Sequence, residues 1–166
     1  RSGPTLSLGP IPSKEFKKFL TDKFRKSGMS IIPDRLNEML ALTDEVPFNV
    51  QYLCHVLWIV KEGKGQVSPE DIDRATEYIL ASENAYYTAL WDRLSLHQRR
   101  TVRALARSGG AAPFTTAFLL EYDLGPSGSV ACSLDQLIKR EVLTKSERGY
   151  RFADPFFKTW ILLRMP

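Results

Sequence analysis

The chain has 166 residues, 43% of them hydrophobic and 25% charged. A chain of that length buries about 70% of its unfolded surface, enough for one large domain or two small ones. No apolar run approaches the roughly 20 residues a bilayer-crossing helix requires, so no such membrane segment is expected, and the composition is that expected of a soluble globular protein. The net charge of +4 is uneven. Residues 1–84 carry 11 basic and 12 acidic side chains (−1), whereas residues 85–166 carry 12 and 7 (+5). A basic second half suits nucleic acid or any other anionic partner.

In chain order, Leu6, Leu8, Gly9, Pro10, Ile11 and Pro12 form an extended lead-in punctuated by proline. Ser13 is expected to cap a helix with Phe16, Phe19, Leu20 and Phe24 on its apolar side. Its other face, with Lys14, Lys17, Lys18, Arg25 and Lys26, reads as solvated surface, because Glu15 and Asp22 interrupt the basic run. Gly28 ends this helix. Pro33 starts the next, whose buried stripe is Leu36, Met39 and Leu40. An acidic connection, Asp44 and Glu45, leads to Pro47 at a third helix start, where Val50, Leu53, Cys54, Leu57 and Trp58 make a strongly apolar face. After a glycine-containing loop around Gly63 and Gly65, Ser68, Pro69 and Asp71 open a capped helix carrying Ile72, Ala75, Ile79 and Leu80. No convincing strand precedes residue 84, and the boundary between a helical subdomain (1–84) and a second domain (85–166) is placed between Glu83 and Ser95.

Tyr86, Leu90, Trp91 and Leu94 continue the helical spacing, and Ser95 with Gln98 is a capping box that restarts the chain. The following helix holds Val102, Leu105 and Ala106 inward and His97, Arg99, Arg100, Arg103 and Arg107 outward, and it stops at Gly109 and Gly110. A short helix spans Phe114 to Tyr122. After Gly125 and Pro126, a helix capped by Ser127 or Ser129 buries Val130, Leu134, Leu137 and Ile138. Val142 to Thr144 and Tyr150 to Phe152 are the strands of a hairpin that turns at Ser146, Glu147, Arg148 and Gly149. Asp154 and Pro155 then open a closing aromatic helix with Phe157, Trp160, Ile161 and Arg164. Three helices, a hairpin wing and a closing helix are the order of a winged helix. The fold class expected is therefore mainly α: a helical bundle followed by a winged-helix domain with a small β-hairpin.

Residues along nearly the whole chain resemble the C-terminal half of prokaryotic, especially archaeal, P-loop ATPases of the AAA+ and STAND kind. The carrying residues are Leu8, Gly9 and Pro10; Val46, Pro47, Phe48, Gln51, Tyr52, Leu53 and Cys54; Tyr87, Leu90, Trp91, Leu94 and Ser95; and Tyr150, Phe152, Asp154, Pro155, Phe156, Phe157 and Trp160. The resemblance implies a helical lid followed by a winged helix. It also implies an upstream P-loop domain in the same polypeptide, ATP or ADP bound by that parent protein, and a cytoplasmic location. Family lids often carry Gly-x-Pro with the proline near the adenine. Here Glu45, Val46 and Pro47 take that place, so the resemblance marks Pro47 as nucleotide-proximal, while helix statistics alone make it an ordinary first-turn proline.

Catalytic chemistry is not expected. No phosphate-binding loop occurs, since Gly63, Lys64 and Gly65 are followed by Gln66, and the chain should not hydrolyse ATP by itself. His55, His97 and two isolated cysteines do not make a metal site. Cys54 and Cys132 read as free thiols of a reducing compartment. Cys54 and His55 are sequence neighbours that point about 100° apart on a helix, the wrong geometry for a nucleophile and its base. The start at Arg1, without a signal-peptide pattern, reads as a cut through a longer polypeptide.

Two uses of the winged helix remain open. In duplex readers the second helix of the helix-turn-helix enters the major groove and the wing touches backbone. The outward face of that helix would offer Ser129, Cys132, Ser133, Gln136, Lys139 and Arg140, and electrostatic contact would come from Arg99, Arg100, Arg103, Lys145, Arg148 and Arg151. The alternative is contact within the ATPase or with a partner protein. A self-contained winged-helix DNA-binding regulator and a protein-interaction module are the runner-up functions.

Overall fold

The computed structural model describes residues 11–110, 112–146 and 149–165. Leu6 to Pro10 of the lead-in and Glu147 and Arg148 of the hairpin turn lie outside the described residues. The described part holds α1 (Ser13–Lys26), β1 (Met29–Ser30), α2 (Pro33–Leu42), α3 (Pro47–Val60), β2 (Gly65–Gln66), α4 (Pro69–Ser82), α5 (Asn84–Asp92), α6 (Leu96–Ser108), α7 (Thr116–Glu121), α8 (Ser127–Lys139), β3 (Leu143–Ser146), β4 (Gly149–Phe152) and α9 (Pro155–Arg164). It is mainly helical, as the periodicity predicts.

Helix starts follow local chemistry. Prolines at the first helical position, where the missing N–H costs nothing, open α2, α3, α4 and α9. Ser68 with Asp71 and Ser95 with Gln98 form the reciprocal capping boxes expected of them. Two expected caps are corrected. Pro12 and Pro126 are the N-cap residues of α1 and α8, so Ser13 and Ser127 stand inside their helices, and neither cap position makes a side-chain hydrogen bond. Helices α3 and α4 pack closely. Lys61, just past the end of α3, meets Asp71 in the first turn of α4 at 3.0 Å, with both side chains largely shielded from water.

The short parallel pairing of Met29 with Gly65 and Ser30 with Gln66 is a feature the sequence does not announce. Two residues per strand carry no period-2 pattern. The hairpin pairs Leu143 with Phe152, Thr144 with Arg151, Lys145 with Tyr150 and Ser146 with Gly149 in antiparallel register.

The last helix joins the two halves. Helix α9 touches α2, α4 and α6, and it buries Phe156, Phe157, Trp160 and Ile161. At about 1.5–3 kcal/mol for each large apolar side chain, its docking rests on hydrophobic burial. Polar tips inside this aromatic cluster are satisfied: Tyr87 donates to Asp154 Oδ2 at 2.8 Å, and the Trp160 indole donates to Asn84 Oδ1 at 2.9 Å. Burial next to the Asp154 carboxylate drives the Tyr87 hydroxyl well above its ordinary range, so it stays a donor. Tyr87, not Tyr86, is the inward residue of α5, since Tyr86 is 59% exposed. Phe19 and Trp58, expected on buried stripes, are each half exposed.

Candidate functional site

The hairpin is seated at two points. On one side the Tyr150 N–H donates to Gly110 O at 3.1 Å, just past the end of α6, and the Tyr150 ring meets Phe114 edge-on at 6.4 Å. Gly110 has φ +83°, and a Cβ there would lie 2.0 Å from Tyr150 O. A backbone approach this close admits only glycine.

On the other side, Arg151 reaches the turn between α2 and α3. Its guanidinium donates to Asp44 O at 2.8 Å across 107 residues of sequence, and its Nε lies 3.9 Å from the Asp44 carboxylate. Asp44 and Glu45 both adopt left-handed backbone, φ 50° and 56°, which costs non-glycine residues of the order of 1 kcal/mol each. Three backbone bonds hold the turn: Asp44 N to Ala41 O, Glu45 N to Leu40 O and Val46 N to Thr43 O. Pro47 follows directly as the exposed first residue of α3, with Phe48 beside it 74% exposed. The residue that the family resemblance marks as nucleotide-proximal is therefore adjacent to the turn that receives the wing.

Between this turn, α1 and the hairpin lies a cleft of about 850 Å³, lined by residues that include Lys17, Asn37, Asp44, Glu45, Lys145 and Arg151.

The helix-turn-helix face is more internally engaged than its sequence suggests. Arg99 lies 5.4 Å from the Trp91 ring, donates to Trp91 O at 3.1 Å and meets Asp92 at 3.4 Å. Arg100 pairs with Asp123 at 3.6 Å. Arg140 donates to Arg93 O at 3.0 Å, and Gln136 accepts from the Gln98 amide at 2.6 Å. Arg103 is half-buried. Lys139 and Lys145 are exposed. Arg148 lies outside the described residues.

Ser133, expected outward, is instead buried against His97, with Oγ to Nδ1 at 2.7 Å. His97 Nε2 lies 2.9 Å from Leu124 O. A carbonyl can only accept, so Nε2 carries a proton and, in the neutral ring, Nδ1 accepts from the Ser133 hydroxyl. One imidazole thus ties α6, α8 and the segment entering α8 together. No motif foretells it, because His97 follows a capping serine and looks solvent-facing until α8 is in place.

Burial pushes the Cys54 thiol up to about 12, which removes the thiolate a nucleophile needs, and His55 is exposed. Both cysteines are free, and no group of three metal-ligating side chains occurs among the described residues. No helix among them is long and apolar enough to cross a membrane.

Comparison with known proteins agrees with this architecture. Residues 85–163 match the family described as a probable winged helix domain. No curated protein matches the chain. Among solved structures, a Walker-type ATPase of Pyrococcus abyssi is similar, with a TM-score of 0.63 at 19% identity over 93% of this chain. This chain spans 43% of the length of that ATPase. The chain is therefore a mainly helical protein whose second half is a winged-helix domain with a small antiparallel hairpin.

Proposed function

We propose that this chain is the non-catalytic lid and winged-helix segment of a larger cytoplasmic P-loop ATPase, with residues 1–84 as the lid and 85–166 as the winged-helix domain. In this reading the upstream P-loop domain of the same polypeptide binds ATP or ADP. Pro47 lies near the nucleotide, and the Asp44 to Arg151 contact relays nucleotide state to the wing. The observation that carries the reading is the fold likeness, which runs through both halves and takes in 93% of this chain but 43% of a Walker-type ATPase. The relay is supported by the placement of Pro47 beside the turn that Arg151 holds.

The test begins with the mass and peptide map of the native polypeptide, which should include a phosphate-binding loop ahead of Arg1. In that intact protein, Pro47→Ala should weaken nucleotide binding several-fold. Unchanged affinity would remove Pro47 from the site, and a native product without the loop would remove the ATPase reading altogether.

A second reading, duplex DNA contact, is favoured by the exposure of Lys139 on α8 and of Lys145 on the wing. With Arg99, Arg100 and Arg140 each paired within the chain, these two lysines supply exposed charge for it. Two neutralised phosphates would make affinity fall about tenfold between 50 and 200 mM salt. Binding that ignores salt would eliminate this reading.

A further inference from the structure

The cleft between α1, the α2–α3 turn and the hairpin brings together cations that lie far apart in sequence. Lys17 comes from the basic face of α1, while Lys145 and Arg151 come from opposite strands of the wing. Neutral polar residues also line the cleft: Asn37, Thr144, Ser146 and Tyr150. Two carboxylates, Asp44 and Glu45, also line the cleft, and Asp44 is the group that engages Arg151. That contact is incomplete as a charge pair. The strong hydrogen bond goes to the Asp44 carbonyl at 2.8 Å, and the carboxylate stands back at 3.9 Å from Nε. The Arg151 side chain keeps 46% of its surface exposed, so the guanidinium retains donors that an entering anion can take.

We propose that this cleft is a binding site for a small polyphosphate-bearing ligand, held by Lys17, Lys145 and Arg151, with Asp44 competing for Arg151. A volume of about 850 Å³ accepts a molecule of nucleotide size and is far too small for a duplex. Lysines act as point charges toward phosphate and arginine as a planar fork, so the three groups can share one extended anion. Occupancy draws the guanidinium from the Asp44 turn toward the ligand, which loosens the wing from the segment leading into Pro47. The site does not rest on the ATPase reading: its residues belong wholly to this chain, and neither Pro47 nor a P-loop takes part.

The experiment is calorimetric titration of the protein with inorganic tripolyphosphate at about 50 mM salt, beside a titration with duplex DNA. Saturable one-to-one binding is expected. Lys17→Ala and Lys145→Ala should each weaken it about 3- to 5-fold, the effect of removing one partly screened charge a few ångströms from the anion. Asp44→Asn should tighten it, because asparagine tolerates the left-handed backbone and keeps the carbonyl acceptor while removing the competing charge. Lys17 lies on α1, away from the helix-turn-helix, so Lys17→Ala should leave DNA binding unchanged. Absence of saturable binding overturns the proposal. So does indifference to Lys17→Ala, which would assign the phosphate contact to the wing alone, and so does weaker binding by Asp44→Asn. The lysines are surface groups, and circular dichroism of each variant separates lost binding from lost folding.

Discussion

Replacing Gly110 by alanine should unseat the wing from the end of α6. The left-handed φ of +83° alone costs about 1 kcal/mol for a residue with a Cβ. The new methyl would also stand 2.0 Å from Tyr150 O, a backbone atom that no side-chain rotation can move aside. The hairpin must therefore shift, and with it go the Tyr150 N–H to Gly110 O bond, about 1 kcal/mol, and the Phe114–Tyr150 edge contact, about 1 kcal/mol. The total is about 3 kcal/mol. Gly109 supplies the control. Its φ is +75°, yet a Cβ there meets nothing within 4 Å, so Gly109→Ala should cost only the conformational term of about 1 kcal/mol. Urea unfolding with linear extrapolation measures both variants, and amide exchange at Tyr150 reports whether the wing has come loose. Equal costs for the two alanines, with Tyr150 exchange unchanged, would refute the claim that close backbone packing fixes the wing.

Two further outcomes follow from buried polar contacts. Asp71 is buried, which opposes its charge, but the Ser68 N–H, the Lys61 ammonium and the Ser68 hydroxyl outweigh that and lower its pKa. A carboxyl lowered on folding adds stability that is fully present above its unfolded pKa of about 3.9 and is lost as pH falls through the folded value. Asp71→Asn should therefore cost about 1–3 kcal/mol at pH 7, and its deficit should shrink as both proteins are titrated below pH 4; a constant deficit would assign the effect to packing. His97→Ala strands the buried Ser133 hydroxyl and the Leu124 carbonyl and should cost about 2–4 kcal/mol in denaturant unfolding, whereas Ser133→Ala, which leaves only the imidazole Nδ1 unpaired, should cost about half as much.

Much of this protein is written locally. Proline at the first helical position, the capping boxes at Ser68 and Ser95, and the spacing of Val130, Leu134 and Leu137 fix where helices begin and which faces they bury, because each depends on residues within one or two turns. The order of three helices, hairpin and aromatic helix likewise made the winged helix legible. What a side chain meets across the fold was not. Arg99, Arg100, Arg140 and Arg151 read alike as free basic groups, and only packing shows each engaged with a carbonyl or a carboxylate. Ser133 looked solvent-facing until His97 arrived from α6, and Lys17 lines a cleft with wing residues only in the folded chain. Periodicity reports which face of an element is apolar. The partner of a polar group many residues away depends on how finished elements sit against one another, and only the tertiary structure decides that.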